Sequence, residues 1–177
     1  MTEAEDTSAP EYPDSSTHAQ VMYLKERVYA AFTGLAIVLV VYNSADGHDA
    51  AYAFEVLLVG VVAITLAGLA SDGIAHLAVH REFPHGADLV GILRAAAGAL
   101  GTMLAPLISI VLAWLDVLTL RTALLVAGYI YIGTLVLIAW LAVRKARVTW
   151  WQKLAALVTL ALLAFVVLAI QVLAHSH

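Results

Sequence analysis

Five apolar runs alternate with short polar connections along this chain. They cover Tyr23 to Tyr42, Ala51 to His80, Leu89 to Leu115, Leu120 to Val143 and Trp150 to Ala174. A helix of about 20 apolar residues crosses the ~30 Å hydrocarbon core of a bilayer, and each run reaches that length. The pattern predicts an all-α fold, an integral membrane bundle of about five transmembrane helices. It forms one domain over residues 21–177, preceded by a tail over residues 1–20. The connections carry turn chemistry. Residues 43–50 read NSADGHDA, Arg81 to Gly86 contains Pro84, and Asp116 to Thr119 is short. The second run is longer than the core needs, so its helix must tilt or project, with His80 at the projecting end. Pro106 interrupts the third run. It removes one backbone donor, frees a carbonyl near Thr102 and predicts a kink there. Five helices do not divide into two equal halves, which argues against an inverted repeat within one chain.

Composition sharpens this to a membrane protein. Of 177 residues, 63% are hydrophobic and the mean hydropathy is +0.92, well above the roughly 45–50% apolar content of soluble domains. The chain has no cysteine, which excludes disulfides and thiolate metal sites. Of 13 acidic residues, five fall in the first 14 positions. Residues 1–20 contain no Lys or Arg, and their composition predicts a disordered acidic tail. They lack the basic start and apolar centre of a signal peptide, so no cleavage is expected. The nine basic residues form no basic face, so nucleic acid is not an expected partner. The lipid bilayer is. Seven of them (Lys25, Arg27, Arg81, Arg144, Lys145, Arg147 and Lys153) lie at one set of helix ends, and Arg121 alone at the other. The positive-inside rule then places the N-terminus in the cytoplasm and the C-terminus outside.

Candidate chemistry is concentrated in the second run. Asp72, His76 and His80 are spaced i, i+4, i+8 and fall on one helical face. Thr65 and Gly68 extend that face. Ionisable groups in a spanning segment are costly and mark functional sites. Arg94, five residues into the third run, either pairs with Asp72 or snorkels to the headgroups. Carboxylate and imidazole are zinc ligands, so Asp72 with His76, or His76 with His80, can hold a divalent metal such as zinc from one side. Residues 72 and 80 are about 12 Å apart along the axis, so no single ion takes all three. Further ligands would come from His85, Glu82 or Glu26. The alternative is a set of hydrogen-bonded histidines packed near an interface. Glu26, Tyr29 and Thr33 in the first run share a face at the same end. They either extend the polar patch or cap a helix start. Ala97 and Gly101 form a small-xxx-small pair that permits close helix approach, within the chain or in a homo-oligomer. Gln171 is expected to bond across helices. The nucleotide-binding, GxSxG and HExxH patterns are all absent, so an enzyme is not the leading expectation.

Arg27-Val28-Tyr29, Ala75-His76, Pro106 and the closing residues 169–175 (AIQVLAH) give the chain a resemblance to small uncharacterised multi-pass membrane proteins of high-GC Gram-positive bacteria. That resemblance implies a membrane bundle and no activity. Ser71, Asp72 and His76-x-x-x-His80 are similar in type to the zinc-binding residues of ceramidase-like membrane hydrolases. That family spreads its ligands over several helices, whereas here they crowd one, and its members have more spans.

Three functions remain as expectations. The first is a transporter or channel for a proton, metal ion or small solute near Asp72 and His76. The second is a non-catalytic scaffold or accessory subunit whose polar face meets a partner membrane subunit. The third is a membrane metal-dependent hydrolase.

Overall fold

The computed structural model describes residues 15–145 and, beyond them, positions 151, 155 and 158. The expected fifth run, with Gln171, lies outside the described residues apart from those three positions, as does the acidic tail before Ser15. Within them the chain is helical, without strands. α1 spans Ser15–Asn43, α2 Ala50–His80, α3 Ala87–Gly101, α4 Leu104–Trp114 and α5 Leu120–Lys145. Among the described residues, three stretches are long and apolar enough to cross a membrane: Ala50–His80, Ala87–Trp114 and Leu120–Ala142. α1 is not among them. Its apolar run starts behind Lys25, Glu26 and Arg27. α1 also begins at Ser15, so residues 15–20, read from composition as part of the tail, are helical instead.

The helix ends follow local chemistry. Asp49 caps α2 by accepting the Tyr52 N–H at 2.8 Å, satisfying an otherwise orphaned donor. Thr119 does the same for α5, accepting from the Thr122 N–H at 3.3 Å. α2 stops where Arg81 turns left-handed (φ 59°) and its N–H bonds the Leu77 carbonyl at 2.8 Å. The third run breaks at Thr102 and Met103, one turn before Pro106. There the backbone tightens to i→i−3 bonds, Thr102 to Ala99 at 3.0 Å and Met103 to Leu100 at 3.2 Å. The Thr102 hydroxyl also donates to the Ala99 carbonyl at 2.7 Å. Proline causes this break, because it cannot donate to the Thr102 carbonyl.

α1 is the hub of the bundle. It packs against α2, α3 and α5, while α4 closes the other side against α2 and α5. The core is built from Ala30, Ala31, Val38 and Val41 of α1, Ala53, Leu57 and Val61 of α2, Ala99 of α3, Met103 between α3 and α4, Leu107 and Ile110 of α4, and Leu124, Ala127 and Tyr131 of α5. Ala30, Ala31, Ala53, Ala99 and Ala127 are small members of this core, and small residues let helix backbones approach closely where van der Waals contact must hold them in lipid. The Ser109 hydroxyl lies 2.7 Å from the Pro106 carbonyl and 3.1 Å from that of Ala123, tying α4 to α5.

Glycines act as notches around the hub. A Cβ at Gly34 of α1 would collide with the Tyr131 ring, and one at Gly98 of α3 with the Tyr23 ring. Ala97 and Gly101, the small pair legible in sequence, are exposed, and a Cβ at Gly101 meets nothing. Close approach in α3 therefore rests on Gly98. Tyr131 is fully buried and its hydroxyl has no partner among the described residues, whereas Tyr129 faces outward.

Three substitutions test this packing. Gly34→Ala should cost about 1–3 kcal/mol by overpacking against a rigid ring, read as a lower Tm in detergent. Gly133→Ala, with nothing near its Cβ, should be neutral or stabilising by up to ~1 kcal/mol through helix propensity. Tyr131→Phe should leave Tm unchanged or raise it, because it removes a buried hydroxyl that has no partner. A fall in Tm would mean that the hydroxyl is bonded from beyond the described residues.

Candidate functional site

The buried face of α2 runs through Ala53, Leu57, Val61 and Thr65 at four-residue intervals. Gly68, Asp72, His76 and His80 continue the same line. The polar stripe is thus the core face of α2, prolonged past the apolar core toward the end of the bundle that carries Lys25 and Arg81.

α1 meets this stripe with two consecutive charges. Lys25 Nζ donates to Asp72 Oδ1 at 3.2 Å and lies 3.4 Å from Glu26 Oε1. The Glu26 and Asp72 side chains are only 6% and 10% exposed, that of Lys25 40%. Two buried carboxylates therefore share one half-buried ammonium, leaving a formal charge of −1. Gly68 makes the arrangement possible: a Cβ there would occupy the space of the Glu26 carboxylate.

Other candidates fall around this cluster. His76 is half-buried, and its ring centroid is 4.5 Å from that of the exposed His80. Asp72 and His76 are thus partly buried and His80, toward the basic end, is exposed. Thr65 is buried, but its hydroxyl donates to the Val61 carbonyl of its own helix at 2.8 Å. It adds no open path, and Val61 and Leu57 beyond it are sealed in the core. Arg94 is exposed and does not pair with Asp72. The short α2–α3 turn made that pairing reasonable, but α3 turns its buried alanines, Ala95, Ala96 and Ala99, inward and leaves Arg94 outside. Tyr29 is exposed while Glu26 is buried, so those two do not form one patch. His85 is exposed, with Nδ1 2.9 Å from the Phe83 carbonyl. Among the described residues no three His, Asp or Glu side chains converge enough to hold a metal ion. Asp72 is engaged by Lys25, which leaves His76 and His80 as a two-residue set.

Lys25 was not singled out from the sequence. The available signal was that the start of the first run and the end of the second lie at one membrane face, with Lys25-Glu26 there opposite Asp72. Next to it, Arg27 forms a separate contact. Its Nη1 donates to the Tyr23 hydroxyl at 3.1 Å, and its guanidinium lies 5.4 Å from the Tyr23 ring centroid. Arg27 Nε is buried without a partner among the described residues. Tyr23 in turn fills the notch at Gly98, so α1 is held to α3 beside the ion cluster.

No protein-family model matches the chain, and no curated protein or solved structure is similar to it. What can be said of the site therefore rests on its own geometry.

A double-mutant cycle tests the cluster. Breaking a fully buried ion pair costs on the order of 3–5 kcal/mol, but Lys25 is partly solvated, which screens the pair. Lys25→Ala and Asp72→Ala should each lower stability by about 1–2 kcal/mol. Lys25→Ala should cost more, because it strands two carboxylates. The double variant should cost less than the sum. Arg94→Ala should fall within about ±0.5 kcal/mol, as for an ordinary surface change. Additivity at 25 and 72, or coupling between 72 and 94, would show a different pairing.

Proposed function

We propose that this chain is a small five-span membrane protein, N-terminus in the cytoplasm and C-terminus outside, that moves a proton or small cation through the Lys25–Glu26–Asp72 cluster. The observation that carries the reading is the shared ammonium. Two carboxylates nearly excluded from solvent hold one more negative charge than their partner neutralises, in surroundings where an uncompensated charge is expensive. Such a site gains from taking up a cation. His76 and His80, with ring centroids 4.5 Å apart, give a stepwise link from Asp72 to the cytoplasmic end. On the other side, Thr65, Val61 and Leu57 close the face, so the described conformation suits a site open to one side rather than an open pore. The orientation rests on the seven-to-one distribution of basic residues. The likeness to small multi-pass proteins of high-GC Gram-positive bacteria belongs to the same proposal and rests on short matches.

A scaffold role is the competing reading, and one feature favours it. The cluster also clamps α1 to α2, with Glu26 seated on Gly68, so the same charges serve as glue between helices. A metal-dependent hydrolase draws less support, since Ser71 is exposed and Asp72 faces Lys25. A homo-oligomer or partner subunit remains compatible with either of the first two readings.

Purified protein in liposomes with an internal pH-sensitive dye separates the two. Transport predicts a proton or cation flux that falls at least about tenfold, some 1.4 kcal/mol on the barrier, with Asp72→Asn or Glu26→Gln in protein that still folds. Absence of flux in the wild type, with both variants lowering Tm, would establish the clamp alone. For the topology, a C-terminal reporter active only in the cytoplasm would overturn the orientation.

A further inference from the structure

Away from the ion cluster, α1 and α2 leave a groove of about 520 Å³ between them, lined by Ile37, Tyr52, Glu55, Val56, Val59 and Gly60. It lies toward the opposite end of the bundle, where α2 begins. Its floor is apolar. Ile37 reaches across to Gly60, where any added side chain would collide with it. Its rim is not apolar. Glu55 is exposed and, among the described residues, forms no ion pair or side-chain hydrogen bond. One turn back, Tyr52 is 40% exposed, and its ring is held by stacking on His48 with centroids 4.0 Å apart. Glu55 lies five residues into α2, about 8 Å along the axis. A carboxylate set against an apolar groove is better placed with a counter-charge, and no described side chain supplies one.

We propose that this groove binds an amphipathic cation, a lipophilic ammonium compound with an aliphatic tail. The ammonium pairs with Glu55 and rests against the Tyr52 ring, whose face attracts cations. The tail lies along Val56, Val59 and Gly60 over Ile37. The volume falls within the roughly 300–1,000 Å³ of small-molecule sites, which are likewise mainly apolar with a few placed polar groups. The single charge sets the selectivity. An ammonium amphiphile gains both the ion contact and the apolar contact, a neutral alcohol of the same chain length gains only the second, and a sulfate is repelled by Glu55. The site shares no residue with the Lys25–Glu26–Asp72 cluster, and binding there does not depend on transport.

The test uses the full chain in neutral maltoside micelles and a dodecyltrimethylammonium probe with a diazirine in mid-chain. After photolysis, labelled positions are mapped by mass spectrometry. Label should concentrate on peptides containing Ile37 and residues 56–60, and unlabelled dodecyltrimethylammonium should compete it away. Glu55→Gln, which keeps the size and exposure of the side chain, should cut that label about tenfold, the loss of one charge contact. Val59→Trp, which fills the groove and keeps the charge, should cut it as well. A matched dodecyl sulfate probe should not label these peptides above background. Label spread evenly over outward residues such as Leu66 and Ile108, insensitivity to Glu55→Gln, or equal labelling by the sulfate probe would each overturn the proposal.

Discussion

Two carboxylates buried at the end of an apolar helical bundle cannot be left to the solvent, and here one lysine answers for both. Lys25 lies within ion-pair distance of Asp72 on the neighbouring helix and of Glu26 beside it. That constraint locks the rotation and depth of α1 against α2. Glu26 can point inward only because Gly68 has no side chain to meet it. Asp72 meets its counter-charge there because Lys25 reaches across from α1. The remaining helices are then arranged around a fixed α1–α2 pair.

The hub position of α1 follows from the same economy of space. Its neighbours approach through small residues: alanines along the shared core, Gly98 beneath Tyr23, and its own Gly34 beneath Tyr131. In lipid, contact of this kind holds helices together better than bulk apolar surface does, since tails and side chains are equally apolar. The break at Thr102 and Met103 lets α3 follow α1 while α4 turns to α2 and α5. One proline thus allows a single apolar run to pack against α1, α2 and α5.

The bundle keeps its charged groups toward its two ends, while Thr65, Thr102 and Ser109 are buried with their hydroxyls bonded to backbone carbonyls. At the basic end the cluster, the histidine pair and the Arg27–Tyr23 contact lie together. At the other end Glu55 and Tyr52, the latter stacked on His48, border an apolar groove. The middle is closed by Leu57, Val61, Leu124 and Tyr131. Tyr131 differs from the buried Thr and Ser hydroxyls in having no described partner, and it is accommodated because its ring fills the notch at Gly34.

Much of this was legible from residue order. Apolar runs and turn residues located the helices, Pro106 located the break, and the i, i+4, i+8 spacing located Asp72, His76 and His80 on one face, because helical period depends on the chain alone. The partner of Asp72 was not legible. Lys25 and Arg94 both stand near the same end, and the short α2–α3 turn pointed to Arg94. Which one reaches Asp72 depends on how each helix is rotated about its axis, and that is set by the fit of side chains into glycine notches on other helices. The inward turn of Ala95, Ala96 and Ala99 put Arg94 outside, and Gly68 drew Glu26 and its neighbour Lys25 in. Periodicity assigns a residue to a face of its own helix, but only packing between helices decides what that face meets.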